Sequence, residues 1–292
     1  MGSDVASAVR NAAATLAPAS DSPRLDAELL MAQARGVSRS ELLLRHMAEP
    51  SPAAFAALVE RRASGEPVAY ILGRQPFFGL ELRVTPAVLI PRSDSETLVA
   101  AALAARPDAK CVLDCGTGSG ALLLAVLANL PAAQGVGIDR SRDALAVARD
   151  NAQRLGLAGR ATLREADWTT PGWAAPLGRF DLILANPPYV ETGASGAALL
   201  SHEPAYALFA GPDGLDAHRL LLPQLPALLA PGGVALAEIG AAQAEMAGAI
   251  ARDAGLTVRL HRDLAGRARV LQLSLARQDS AWHLPGECLP QV

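Results

Sequence analysis

Val112-Leu113-Asp114-Cys115-Gly116-Thr117-Gly118-Ser119-Gly120 is an apolar strand running into a glycine-rich turn, and the apolar stretch after it reads as a helix. Glycines in such a turn let a ligand approach bare backbone. The spacing is G-x-G-x-G. It is not the G-x-G-x-x-G fingerprint in which a helix N-terminus meets a pyrophosphate, so a nucleoside without pyrophosphate fits better than a dinucleotide. Outward from this turn, short apolar runs alternate with helical stretches, which is the pattern of a parallel sheet covered by helices on both faces. Strands are expected at 111–113, 135–138, 161–164, 180–185 and 234–238, with two more at 258–260 and 270–273. Helices are expected at 120–130, 141–155 and 215–229. The fold class read from this is α/β, a doubly wound, mostly parallel, Rossmann-like sheet.

Upstream the chain changes character. Ser22-Pro23 and Ser51-Pro52 each open a helical segment, and Gly36 and Gly65 are natural stops. These helices form a small N-terminal domain over 1–75. Residues 77–84 and 87–90 carry β-formers and turn residues that suggest a hairpin, placed in a linker over 76–95. The sheet domain then covers 96–277, and 278–292 reads as a loose tail.

With 51% apolar and 19% charged residues, a 292-residue chain has ample core material and is not generally disordered. Its 26 basic and 29 acidic residues leave a formal charge of −3, so no sequence-wide basic field exists to hold a phosphate backbone, and direct nucleic-acid binding is not expected. Three cysteines are too few for a disulfide framework, which fits a reducing cytoplasm. Scattered histidines offer no metal-ligand spacing, and no signal peptide or membrane span is visible, so neither metal nor membrane is expected as a partner.

Acidic residues follow successive strands. Asp139 stands after the second, where a carboxylate can accept both hydroxyls of a ribose, and Asp167-Trp168 follows the third, where an acid and a ring can border an adenine. Each has a plain structural alternative: glycines that only turn the chain, Asp139 capping the helix near Ser141, Trp168 as core. The most specific segment is Asn186-Pro187-Pro188-Tyr189, closing the strand at 180–185. Two prolines fix the backbone and withhold two N–H groups, leaving carbonyls free to accept. The Asn186 side-chain carbonyl and the Pro187 backbone carbonyl can receive both hydrogens of a planar amino group, with Tyr189 against that plane. Amide and aromatic nitrogens are poor nucleophiles, so acceptors that build electron density on nitrogen suit their methylation. The structural alternative is a rigid turn.

These motifs, with Ser22-Pro23-Arg24-Leu25-Asp26-Ala27-Glu28, Gly65-Glu66-Pro67-Val68-Ala69-Tyr70, Leu89-Ile90-Pro91-Arg92, Glu203-Pro204 and Asp213-Gly214-Leu215-Asp216, resemble the release factor glutamine methyltransferase family (HemK/PrmC type) of class I S-adenosylmethionine enzymes. The resemblance covers nearly the whole chain. It implies that Gly116, Thr117, Gly118, Ser119, Gly120, Asp139, Trp168 and Asn186 contact S-adenosylmethionine, to which Asp167 is added from its position. It also implies that Asn186, Pro187 and Tyr189 act at the reacting amide, and that Pro188 and Arg92 help to form the substrate pocket. The substrate it implies is the glutamine of the Gly-Gly-Gln motif of class I peptide chain release factors. For Arg92 the structural alternative is an ion pair with Glu96 or Glu203. Cys115, Ser93 and Ser95 depart from the family's common Leu, Pro and Thr, and 190–201 is short and rich in Gly and Ala. Rival activities are methylation of a ribosomal protein glutamine, methylation of an exocyclic amine in nucleic acid, and a catalytically silent nucleoside-binding scaffold.

Overall fold

A computed structural model describes residues 3–194 and 201–276. The expected tail over 278–292 and residues 195–200 of the short stretch lie outside the described residues. The chain divides into two compact units, Met1–Gln75 and Pro76–Val292.

The first unit is helical. It comprises α1 (Val5–Leu16), α2 (Pro23–Arg35), the single turn α3 (Arg39–Glu41) leading into a π-helical turn over Leu42–His46, α4 (Ala54–Ala63) and α5 (Val68–Leu72). Asp4 starts α1 by accepting the Ser7 N–H, and Gly36 ends α2 in the left-handed conformation. Val5, Val9 and Leu16 of α1 meet Leu30 and Met31 of α2 in a core of their own.

A two-stranded sheet follows, β1 (Arg74–Phe77) and β2 (Leu80–Arg83). Its turn has positive φ at both Phe78 and Gly79, the backbone of a tight hairpin. The hairpin is therefore shifted from the expected one, and 87–90 is not a strand. The reason is local, because Phe78-Gly79 closes a two-residue turn and the Thr85 carbonyl, accepting the Val88 N–H, bends the chain away.

The second unit contains α6 (Glu96–Ala105), β3 (Cys111–Cys115), α7 (Ala121–Asn129), β4 (Gln134–Asp139), α8 (Arg142–Arg154), β5 (Ala161–Glu165) and β6 (Phe180–Ala185). After these come α9 (Asp216–Leu221), α10 (Leu225–Leu228), β7 (Leu229–Glu238), α11 (Ala244–Asp253), β8 (Leu256–Arg262) and β9 (Ala268–Leu275). The sheet order is β5-β4-β3-β6-β7-β9-β8, with β9 antiparallel to both neighbours and the rest parallel. This is the doubly wound α/β fold. Alternation along β3 builds its two faces: Cys111, Leu113 and Cys115 enter one core with Leu221 and Leu225, and Val112 enters the other with α6 and α7. Cys115 is fully buried, so the thiol standing for a leucine is a packing residue.

The chain winds outward from β3 through β4 and β5, then returns across β3 to β6 and β7. That reversal puts the topological switch point between β3 and β6, where open α/β sheets form a crevice at the carboxyl ends of their strands.

Candidate active site

Strand register brings the site together. Cys115 pairs with Ala185 across β3 and β6, so the next residues, Gly116 and Asn186, leave the sheet side by side. On the other flank Asp139 pairs with Glu165, which sets Asp139 opposite the turn through Ala166, Asp167 and Trp168. A cavity of about 280 Å3 opens there, lined by Gly116, Gly118, Asp139, Asp167, Trp168, Asn186 and Pro188 with Arg140, Tyr206 and Phe209. A second, of about 50 Å3, is lined by Pro91, Arg92, Ser95, Thr117 and Ser119 and shares Leu89, Gly116, Gly118 and Asn186 with the first.

Gly116 has φ +78°, and a Cβ there would lie 2.9 Å from the Trp168 ring. Glycine is thus needed both for the backbone conformation and for the close approach of the indole. Thr117 and Ser119 are buried and tied to their surroundings: Thr117 Oγ1 donates to Asp114 at 2.7 Å, and the Ser119 backbone carbonyl accepts from Asn151. Gly120 lines neither cavity. It caps α7 in the left-handed conformation, where a Cβ would strike Leu124 at 2.9 Å.

Asp139 braces the backbone on both sides of it, while Ser141 is the residue that caps α8. Oδ1 accepts the Ser141 N–H and Oδ2 the Gly118 N–H, each at 2.9 Å, so it ties the glycine turn to the start of α8 while lining the cavity. Burial raises its pKa, against these two backbone bonds, which favour the charged form. Asp114, fully buried beneath the turn, is pushed up to about 7 by desolvation. Asp167 lines the cavity and accepts the Thr169 N–H and hydroxyl, and the Trp168 carbonyl is held by Gln224. Among the lining residues, the Arg140 guanidinium lies over the Tyr206 ring, 4.7 Å from its centroid.

The Asn186 amide Nδ2 donates to the Ser95 hydroxyl at 3.3 Å. Pro187 is buried and Pro188 faces the larger cavity. Tyr189 lines neither cavity, because its hydroxyl runs inward to Glu238 Oε1 at 3.1 Å. Arg92 lines the smaller cavity and forms its ion pair with Glu203. The other Glu203 oxygen accepts the Ile90 N–H, and Glu96 instead accepts the Phe78 N–H. Glu238 went unmarked in the sequence, where only its place at the end of a strand beside the site could have drawn notice.

The described residues contain no group of three or more His, Cys, Asp or Glu placed to hold a metal ion, and no helix long and apolar enough to cross a membrane.

Residues 7–73 match the PrmC N-terminal domain family and residues 107–258 the Methyltransferase domain family. The release factor glutamine methyltransferase of Caulobacter vibrioides is 45% identical over 260 residues, covering 86% of this chain and 89% of that protein. The enzyme of the same name from Cereibacter sphaeroides is 43% identical over 279 residues, covering 92% and 98%. Among solved structures, the catalytic domain of hMettl16 in complex with MAT2A 3′UTR hairpin 6 shares the fold, with a TM-score of 0.55 at 14% identity over 70% of this chain and 78% of that one.

Proposed function

Because the chain belongs to the release factor glutamine methyltransferase family, we propose that it transfers a methyl group from S-adenosylmethionine to the side-chain amide nitrogen of the Gly-Gly-Gln glutamine in class I release factors. The observation that carries this reading is that Gly116, Gly118 and Asn186 line both cavities, so a cofactor wall and an amide-binding segment meet at one place. The larger cavity suits a nucleoside: the bare Gly116 backbone and the Trp168 ring form its wall, and Asp139 supplies acceptors for a ribose. Asp167 and Trp168 are assigned to the base. When bound, the cofactor supplies an electrophilic methyl carbon.

The protein's own residues do the rest. Asn186 Oδ1 and the Pro187 carbonyl each accept one hydrogen of the substrate amide, fixing its plane and stabilising the positive charge that develops on nitrogen. Pro188 and Tyr189 hold this segment in shape. Holding the amide in line with the methyl group turns an encounter into an intramolecular step. After transfer the amide nitrogen loses its proton to water, so no side chain has to act as a base. Arg92, clamped by Glu203, forms the wall of the smaller cavity on the substrate side. The N-terminal helical unit is assigned to gripping the release factor away from the reacting glutamine.

Single-turnover methyl transfer at saturating cofactor and substrate tests the assignment. Asn186→Ala lowers the rate by about 100-fold or more, the size seen when an acceptor or donor aimed at developing charge is lost. A near wild-type rate would remove Asn186 from the chemistry.

A further inference from the structure

The short 3-10 turn over Ser93–Ser95, with Arg92 as its N-cap, carries much of the substrate side of the site. Arg92 and Ser95 both line the smaller cavity, and the Ser95 hydroxyl accepts from Asn186 Nδ2 at 3.3 Å. Glu203 holds one end of this turn, through its ion pair with Arg92 and by accepting the Ile90 N–H at 2.9 Å. Asp94, between Arg92 and Ser95, lines neither cavity and has no part in the mechanism above.

The partners of Asp94 come from the β8–β9 hairpin, 173 positions further along the chain. Arg267 Nη2 donates to both carboxylate oxygens, at 3.3 and 3.2 Å, and Arg269 Nη2 stands 2.9 Å from Oδ2. The hairpin turn that presents these arginines is itself fixed. Asp263 Oδ1 accepts the Ala265 and Arg267 N–H groups, Oδ2 accepts Arg267 Nε at 2.8 Å, and the Gly266 N–H returns to the Asp263 carbonyl. Arg269 belongs to β9, where its carbonyl accepts the Ile239 N–H.

Exposed ion pairs contribute little, because water screens them. This network differs in that the side chains of Arg269 and Asp263 are only 8% and 4% exposed. If Asp94 moved away, Arg269 would keep one carboxylate among the described residues, Asp263 at 3.6 Å, and a buried guanidinium with a weakened partner is costly. The sheet therefore resists displacement of Asp94, and an ion pair grips the 92–95 turn on each side.

We propose that Asp94, Arg267 and Arg269 are positioning residues for methyl transfer: the hairpin arginines hold Asp94, which keeps Arg92 at the substrate cavity and Ser95 against the Asn186 amide. This rests on the reading of Asn186 as the acceptor for the substrate amide and of the smaller cavity as the substrate side.

The test compares full-length Asp94→Asn, Asp94→Glu, Arg269→Ala, the Asp94→Asn/Arg269→Ala pair and Asn186→Ala. For each, kcat, KM for release factor, cofactor affinity and melting temperature are measured. Asp94→Asn and Arg269→Ala each lower kcat/KM for release factor by about tenfold or more, since small misplacements of positioning groups are expensive, while cofactor affinity stays within about twofold. Asp94→Glu keeps the charge and recovers part of the loss. The double variant is no slower than the slower single one, because both changes release the same turn. If Arg269→Ala does not fold, Asp94→Asn decides, as its side chain is 35% exposed and the change keeps its shape. Wild-type kcat/KM in Asp94→Asn, an equal fall in cofactor affinity, or single losses that multiply in the double variant overturns the proposal, leaving the network a support of the fold. Should Asn186→Ala be slow while Asp94→Asn is fast, only the positioning role fails; should Asn186→Ala itself be fast, the reading beneath it fails.

Discussion

Asp139 answers two demands with one side chain. On the proposed reading, replacing it with Ala removes a bidentate acceptor for the ribose, and it also strands the Gly118 and Ser141 N–H groups. Cofactor affinity is expected to fall by about 1.5 to 3 kcal/mol, the range for lost charge-assisted bonds, and calorimetric titration checks it; unchanged affinity would take Asp139 out of the cofactor site. Asp114 makes a different prediction, about pH. Its carboxyl releases a proton near its ordinary value of 3.8 when unfolded and at about 7 when buried. Between those values the folded state holds more protons, so raising pH through the window lowers stability. Asp114→Asn removes this contribution and still offers Thr117 an acceptor, so its melting temperature is expected to fall less than wild type between pH 5 and pH 8. Equal falls in the two proteins would show that Asp114 is not the group responsible. At this scale the sequence was legible where a residue sits beside its motif, as with Gly116 or Asn186. It was silent on partners brought in by the fold: Glu203 lies 111 positions from Arg92, and Glu238 lies 49 from Tyr189.

Among the elements, the sheet strands were readable because buried parallel strands are short apolar runs between turns, and each expected one falls within an observed strand. The helix expected over 215–229 is broken instead into α9, a 3-10 turn over Leu222–Gln224 and α10, since Pro223 and Pro226 each deny a backbone donor and restart the turn. Among the helices of ten residues or more, the sequence reading misses α1, α6 and α11. α6 is apolar nearly all round, so its two faces hardly differ, whereas α1 and α11 bury residues at helical spacing and carried a readable pattern. Gly135 and Gly137 on β4 mark a contact that composition alone does not reveal. A Cβ at Gly137 would lie 2.7 Å from Leu163 and 2.9 Å from Thr117 Oγ1, and one at Gly135 would lie 2.4 Å from Leu123 of α7. These glycines let α7 and the glycine turn approach the sheet. Gly137→Val is therefore expected to destabilise the fold by about 1 to 3 kcal/mol through overpacking, read from urea denaturation. Wild-type stability would mean that this face has slack.

Across the whole molecule, the division after Gln75 decides how the recognition role of the helical unit is tested. The sequence suggested a start near Ala87 for the isolated catalytic part. Phe77 and Leu82 of the hairpin are buried in the core formed with α6 and α7, so that start would cut into the core, and Pro76 is the sound one. A chain of residues 76–292 is expected to keep cofactor affinity and lose at least about tenfold in kcat/KM on intact release factor, as loss of a remote binding surface does. Undiminished kcat/KM in the folded fragment would show that the helices do not grip the substrate.

Mass spectrometry of a class I release factor after incubation with the full-length protein and S-adenosylmethionine tests the central claim most directly. The expected result is a single added methyl group on the Gly-Gly-Gln glutamine, formed by the wild-type protein and nearly absent with Asn186→Ala. An unmodified glutamine, or a methyl group on another residue, would contradict it.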